Sequence, residues 1–301
     1  MHTDKIAAVK NTMEHYREIF ENFLAATREE RKSGVPENLF KAMEYSLDAG
    51  GKRLRPILCM AAAERCGCSL ESALPMALGL EMFHTASLIH DDLPCMDNDD
   101  MRRGKPSNHI VFGETMAVLA GDSLLTQSLE FPLLHICGAG DKNVLRAMKF
   151  FSSAIGPSGV CGGQVLDMDA HSALEDSDYV RKIAALKTGA LIKASVLSGA
   201  ALGTDDEALL SCYNNYGAHL GSAFQIVDDI LDVVSTDEEM GKTVGKDAEQ
   251  GKITHVTVFG LEKARIMAES ESVMAKKSLS SVLGQNDFMM NLPDYLVYRT
   301  N

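Results

Sequence analysis

The stretch from Ser69 to His90 is long, mostly apolar and free of any β-branched run, and it closes on two adjacent carboxylates, Asp91 and Asp92. Leu, Ala and Met at this density predict a buried helix rather than a strand. Pro94 lies just past the end, so the chain leaves regular helix near Leu93. The same grammar recurs at 205–234, an apolar helix closing on Asp228-Asp229-Ile230-Leu231-Asp232. Thr204 or Asp205 is placed to cap it. Further helices are predicted over 4–32, 37–49, from Pro56 to about Cys66, and over 112–136, 141–155, 163–170, 175–202 and 254–283. A last short helix starts near Pro293, which suits a first helical turn. Gly50-Gly51 and the glycines around 156–163 punctuate the series, and 95–108 and 235–252 read as polar loops. No strand-like alternation, fixed-period repeat or low-complexity linker interrupts it. The expectation is one all-α domain over residues 1–301, with an interior of Leu, Ala, Met, Val and Ile because Trp is absent and aromatics make up 6 %.

The net charge of −13 argues against a nucleic-acid partner, which selects for basic surfaces. The seven cysteines are odd in number and form no Cys-x-x-Cys pair, and the first residues show no apolar signal core. Reduced thiols in a cytoplasmic protein are expected. The long charge-free stretch from Phe150 to Leu166 is broken by four glycines and a proline, so no stable membrane insertion is expected.

Carboxylates near a helix C-terminus face the negative end of the macrodipole, and packing them together adds repulsion. A divalent cation offsets both costs, and a hard, oxygen-liganded ion such as Mg²⁺ bridging to phosphate fits best. Asp228 and Asp232 share a helical face. Asp97 lies six residues after Asp91, too far round for a regular helix, but a bulged turn at Pro94 would bring it back. An EF-hand is excluded by the spacing and by the missing glycine and terminal glutamate.

Cations stand beside these clusters. Lys52 and Arg55 occupy a helix start, Arg102-Arg103-Gly104 follows the first acidic cluster, Lys187-Thr188 lies within a long apolar helix, and Lys242 and Lys252 follow the second. Two acidic sites with two basic sets point to two phosphorylated ligands held at once.

At these positions the chain resembles the trans-isoprenyl diphosphate synthases, the group containing the farnesyl and geranylgeranyl diphosphate synthases. The likeness covers nearly the whole chain through Gly51-Lys52-Arg53-x-Arg55-Pro56, His84 with Ser87-Leu88-Ile89-His90-Asp91-Asp92, Arg102-Arg103-Gly104, Gly162-Gly163-Gln164-x-x-Asp167, Lys187-Thr188, Phe224-Gln225-x-x-Asp228-Asp229-x-x-Asp232 and Gly241-Lys242. The resemblance implies an all-α isoprenoid synthase bundle around a deep central cavity, normally a homodimer. It implies that Asp91, Asp97 and Asp228 are the main carboxylate ligands of three Mg²⁺ ions, with Asp92, Asp229 and Asp232 in support. Arg102, Lys187 and Lys242 match residues that hold an allylic diphosphate. Lys52, Arg55, His84 and Arg103 match an isopentenyl diphosphate site, and Lys187, Thr188 and Gln225 line the reaction centre. The end of the chain departs from the pattern: Tyr298-Arg299-Thr300-Asn301 keeps an arginine but lacks the family's final lysine.

Ala86 and Ser87 lie about one turn before Asp91. Family members that stop at fifteen carbons carry a bulky aromatic floor here, so the small pair implies a longer product, geranylgeranyl diphosphate. Met82, Phe83, Met116 or a residue across the dimer is the alternative floor, which would leave farnesyl diphosphate. A terpene cyclase would not need the second basic set, and a His-Asp phosphohydrolase would need a second histidine. An inactive partner subunit would be expected to have lost one acidic cluster.

Overall fold

The computed structural model describes residues 2–169, 177–234 and 253–298. Helices follow one another as α1 (His2–Ala26), α2 (Arg28–Lys32), α3 (Glu37–Leu47), α4 (Leu54–Arg65) and α5 (Leu70–Asp91). A hairpin of two-residue strands, β1 (Met101–Arg102) and β2 (Lys105–Pro106), pairs Met101 with Pro106 and Arg102 with Lys105. Then come α6 (Asn108–Phe112), α7 (Glu114–His135), α8 (Asp141–Ile155), α9 (Val160–Met168) and α10 (Ser177–Ile183). A π-helical turn, Ala184–Gly189, leads into α11 (Ala190–Gly203), and α12 (Glu207–Val234), α13 (His255–Phe259), α14 (Leu261–Leu279) and α15 (Phe288–Val297) complete the chain.

The all-α expectation holds, with local corrections. The predicted 254–283 helix is split at Gly260, whose φ of +80° ends α13 before α14 begins. Gly113, at φ +84°, likewise separates α6 from α7. Asp206, rather than Thr204 or Asp205, caps α12, accepting the amide hydrogens of Ala208 at 2.8 Å and Leu209 at 3.2 Å. Pro293 lies inside α15, which begins earlier at an Asp287 cap that accepts from the Met289 amide. The loop predicted at 95–108 contains the hairpin, too short to leave an alternating pattern.

Helix α11 is packed among α4, α8 and α12, while α5 lies on α7 and α12 on α14. Buried leucines, alanines and methionines of α4, α5, α7 and α11 form one continuous core. Among the described residues one span, Ser177–Gly203, is long and apolar enough to cross a membrane, but 72 % of its apolar window is buried inside the protein. That burial accounts for its apolarity as core packing.

Burial is not confined to apolar groups. Arg53 caps α4 from a left-handed backbone conformation, φ 47°, and its guanidinium donates to Glu81 at 2.9 Å, Glu21 at 2.8 Å and the Leu47 carbonyl at 2.8 Å. It is thus a strut tying α1, α3 and α5 to the turn that carries Lys52 and Arg55. Removing one partner of a desolvated ion pair strands the other charge. Glu81→Ala is therefore expected to lower the unfolding free energy by about 3–5 kcal/mol in urea denaturation, and pairing Glu81→Leu with Arg53→Met to recover much of the loss.

Candidate active site

Helix α5 delivers the first acidic cluster. Its last residue, Asp91, is followed by a turn in which the Asp97 amide donates to the Asp91 carbonyl at 2.9 Å and Asn98 takes φ 52°. The turn returns Asp97 to Asp91, as expected from Pro94. Burial raises the Asp91 carboxyl to about 6; Lys187 and Arg102 oppose that shift, and Asp97 and Asp92 reinforce it. Asp92 is buried and faces the hairpin, where Arg102 donates to it through Nε at 2.9 Å and again through its terminal nitrogen, with Asp99 at 3.3 Å on the same guanidinium.

Lys187 and Thr188 sit on the π-helical turn, not in the regular helix that was expected. The wider turn is seated by two close approaches. A Cβ on Gly163 of α9 would stand 2.3 Å from the Lys187 nitrogen, and one on Gly221 of α12 would stand 2.7 Å from Gly189 Cα. The turn shifts the register of Lys187 and Thr188 relative to a straight helix. Lys187 Nζ meets Asp167 at 2.5 Å, and the Thr188 hydroxyl donates to Gln225 Oε1. Asp167, Lys187, Gln225, Asp229 and His255 together line a cavity of about 100 Å³.

The second acidic cluster occupies the last turns of α12. Asp228 is close enough to Arg55 to influence its protonation. Asp229 and Asp232 are buried, and Asp229 is engaged by Gln225 and His255. Arg55 and Arg103 form a cationic group on the α4 and α5 side, with His84 buried beside them. Burial lowers the Arg55 guanidinium to about 10, against Glu81 and Asp228 and with Arg103 reinforcing. Its buried Nε finds no hydrogen-bond partner among the described residues. Arg103 donates to the Gly50 carbonyl and approaches Glu81 at 4.0 Å. Lys52 is exposed and lines another cavity, about 330 Å³, between α1 and α15. Lys242, Lys252 and Arg299, with the loop at 235–252, lie outside the described residues.

No three His, Cys, Asp or Glu side chains among the described residues converge tightly enough to hold a metal by themselves. Magnesium does not require that, since it keeps several waters and is held by one or two carboxylates together with substrate phosphates. The oxygen-only donors of Asp91 and Asp97, beside each other in a site whose burial disfavours the charge of Asp91, fit such an ion.

Residues 36–285 match the sequence profile of the family described as polyprenyl synthetase. The chain belongs to that family. It is therefore a prenyltransferase. Across 280 residues it is 45 % identical to a dimethylallyltranstransferase from Fischerella ambigua (strain UTEX 1903), covering 92 % of this chain and 80 % of the relative. It is 40 % identical over 269 residues to the geranylgeranyl diphosphate synthase of Cyanophora paradoxa, covering 89 % and 90 % of the two chains. Among solved structures, a geranyltransferase from Helicobacter pylori complexed with magnesium and isoprenyl diphosphate superposes with a TM-score of 0.79 at 31 % identity, over 97 % of this chain and 96 % of that one. Against this polyprenyl synthetase background, the structure adds residues to which sequence reading gave no role. Asp167 was visible only as part of a motif. His255 had no local signal, because its partner lies 26 residues away in the chain.

His84 is the titratable group most affected by the cationic wall. Burial, then Arg55, Arg103, Arg53 and Arg102, hold its imidazole well below 6.5. The folded state thus resists a proton that the unfolded state accepts, and stability is lost as pH falls below 6.5. The stability of the native chain relative to a His84→Gln variant is expected to fall by about 1.4 kcal/mol for each pH unit below 6.5, read from denaturation midpoints at successive pH values.

Proposed function

We propose that this prenyltransferase condenses isopentenyl diphosphate with dimethylallyl, geranyl and farnesyl diphosphates, ending at the twenty-carbon product, geranylgeranyl diphosphate. The observation that carries the reading is the pairing of each acidic cluster with cations: Asp91 and Asp97 with Lys187 and Arg102, and Asp228 with Arg55. Asp91, Asp97 and Asp228 would hold three magnesium ions, with Asp92, Asp229 and Asp232 supporting them. Bound magnesium supplies charge neutralisation to a departing diphosphate.

The chain's own residues do the rest. Arg102 and Lys187, with Lys242 outside the described segments, hold the allylic diphosphate and stabilise the charge that develops as its C1–O bond breaks. Arg102 is already oriented by Asp92 and Asp99, and Lys187 by Asp167, so little reorganisation accompanies that step. Arg55, Arg103, His84 and Lys52 bind isopentenyl diphosphate, with Lys252 an additional diphosphate contact. The unpartnered Arg55 Nε offers a donor for one of its oxygens. The isopentenyl double bond supplies the electron pair for the new carbon–carbon bond, and the released diphosphate accepts the proton then lost. Thr188 and Gln225 line the reacting centre, and burial of the site keeps water from the allylic cation.

The chain is read as one domain over 1–301 that acts as a homodimer in the cytoplasm. Exposed apolar side chains on α6 and α7, Ile110, Val111, Val118, Leu119, Leu133 and Leu134, offer a self-complementary face. Ala86 is buried in the same apolar cluster as Ala117, Ala120 and Leu124 of α7, with no aromatic at its own position. One turn deeper, Phe83 packs edge-on to Phe151 at 6.3 Å, which would be the floor if growth stopped at fifteen carbons.

Incubation with magnesium, isopentenyl diphosphate and each allylic diphosphate in turn, followed by chromatography of the products, tests the reading. Twenty-carbon product is expected, and a chelator should abolish turnover. Exclusive fifteen-carbon product would reject the chain-length reading. Asp91→Asn is expected to lower kcat by at least about 100-fold. Ala86→Tyr should shorten the product, and an unchanged distribution would show that Ala86 does not face the growing chain.

A further inference from the structure

Both carboxylate oxygens of Asp229 accept hydrogen bonds from within the protein. Its Oδ1 accepts from Gln225 Nε2 at 2.8 Å, while its Oδ2 accepts both the His255 backbone amide at 2.8 Å and His255 Nδ1 at 2.7 Å. A carboxylate oxygen only accepts, so the hydrogen of the imidazole sits on Nδ1 in this contact. The same logic fixes Gln225: with its amide nitrogen committed to Asp229, its Oε1 is the atom left to receive the Thr188 hydroxyl. The three groups therefore form a directional series, with every donor pointing toward Asp229.

His255 anchors the far end. Its side chain is 1 % exposed, its ring stacks on Phe259 with centroids 6.2 Å apart, and it is the first residue of α13. Thr254 caps that helix through a reciprocal pair with Thr257. The imidazole is thus immobilised from three sides: by the cap, by Phe259 and by Asp229. A rigid donor on a buried carboxylate fixes that carboxylate's rotation, and the carboxylate in turn fixes the amide it accepts from.

We propose that His255 is a positioning residue for prenyl transfer, acting through Asp229 to hold Gln225 and Thr188 in one orientation at the reacting centre. This rests on the reading that places Thr188 and Gln225 there. Asp229 is then the junction of a positioning network as well as a support for the magnesium site. His255 makes none of the substrate contacts proposed above, so its loss should change turnover far more than substrate binding.

The test is a kinetic double-mutant cycle on the full chain. His255→Phe keeps the aromatic packing against Phe259 and removes the Nδ1 donor, whereas His255→Asn restores a donor near the same place. His255→Phe is expected to lower kcat about tenfold with KM for isopentenyl diphosphate changed less than about twofold, and His255→Asn to recover most of the loss. Gln225→Leu should lower kcat by itself. In the Gln225→Leu background, His255→Phe should then cost little more, because both changes break one series. Losses that multiply, or a kcat that falls only in step with the folded fraction measured by circular dichroism, would overturn the proposal and leave His255 as a helix anchor. A Gln225→Leu enzyme with native kcat would instead refute the placement of Gln225 at the reacting centre, and the proposal with it.

Discussion

Asp91 ends a long buried helix with its carboxylate in a site where charge is poorly solvated, beside two more carboxylates and at the negative pole of the helix. Left alone, such a group would take up a proton near neutral pH, and burial indeed raises its carboxyl to about 6. The surrounding architecture supplies opposing charge: Lys187 from the π-helical turn and Arg102 from the hairpin. A magnesium diphosphate would complete that balance, which makes the acidic wall a substrate-dependent feature rather than a source of stability. The requirement explains why helices with little else in common end around one space.

The groups around the site are themselves held by carboxylates. Asp92 and Asp99 fix Arg102, Asp167 fixes Lys187, Glu81 and Glu21 fix Arg53, and Asp229 collects Gln225 and His255. In a low-dielectric interior such pairs are costly if incomplete and rigid if complete. The geometry of the site therefore depends on a set of partly buried polar and charged pairs at the ends of α4, α5, α9 and α12. The apolar core beneath them, running through α4, α5, α7 and α11, keeps those ends in register.

Much of this was legible in the sequence because it is local. Helix identity follows from apolar density and the lack of β-branched runs, as at Ser69–His90, and the turn that returns Asp97 to Asp91 follows from Pro94. The pairing of acidic with basic sets was legible through motif spacing and family resemblance. The π-helical turn was not, because it depends on Gly163 and Gly221 bringing other helices against Gly189 and Lys187, which lie far away in the chain. The early start of α15 was missed because Pro293 is compatible with a first turn, whereas the cap at Asp287 decides the boundary.

The sequence by itself determined the helical class, the two carboxylate clusters and the kind of ligand they suit, since each depends on residues within a few turns of one another. Only the tertiary structure decided what holds each of those carboxylates. Asp92 and Asp229 read as equivalents of their neighbours, yet one is held by Arg102 and the other by Gln225 and His255. Successive side chains on a helix project about 100° apart, so adjacent aspartates meet different surroundings. What each one meets is set by helices that approach from elsewhere in the chain.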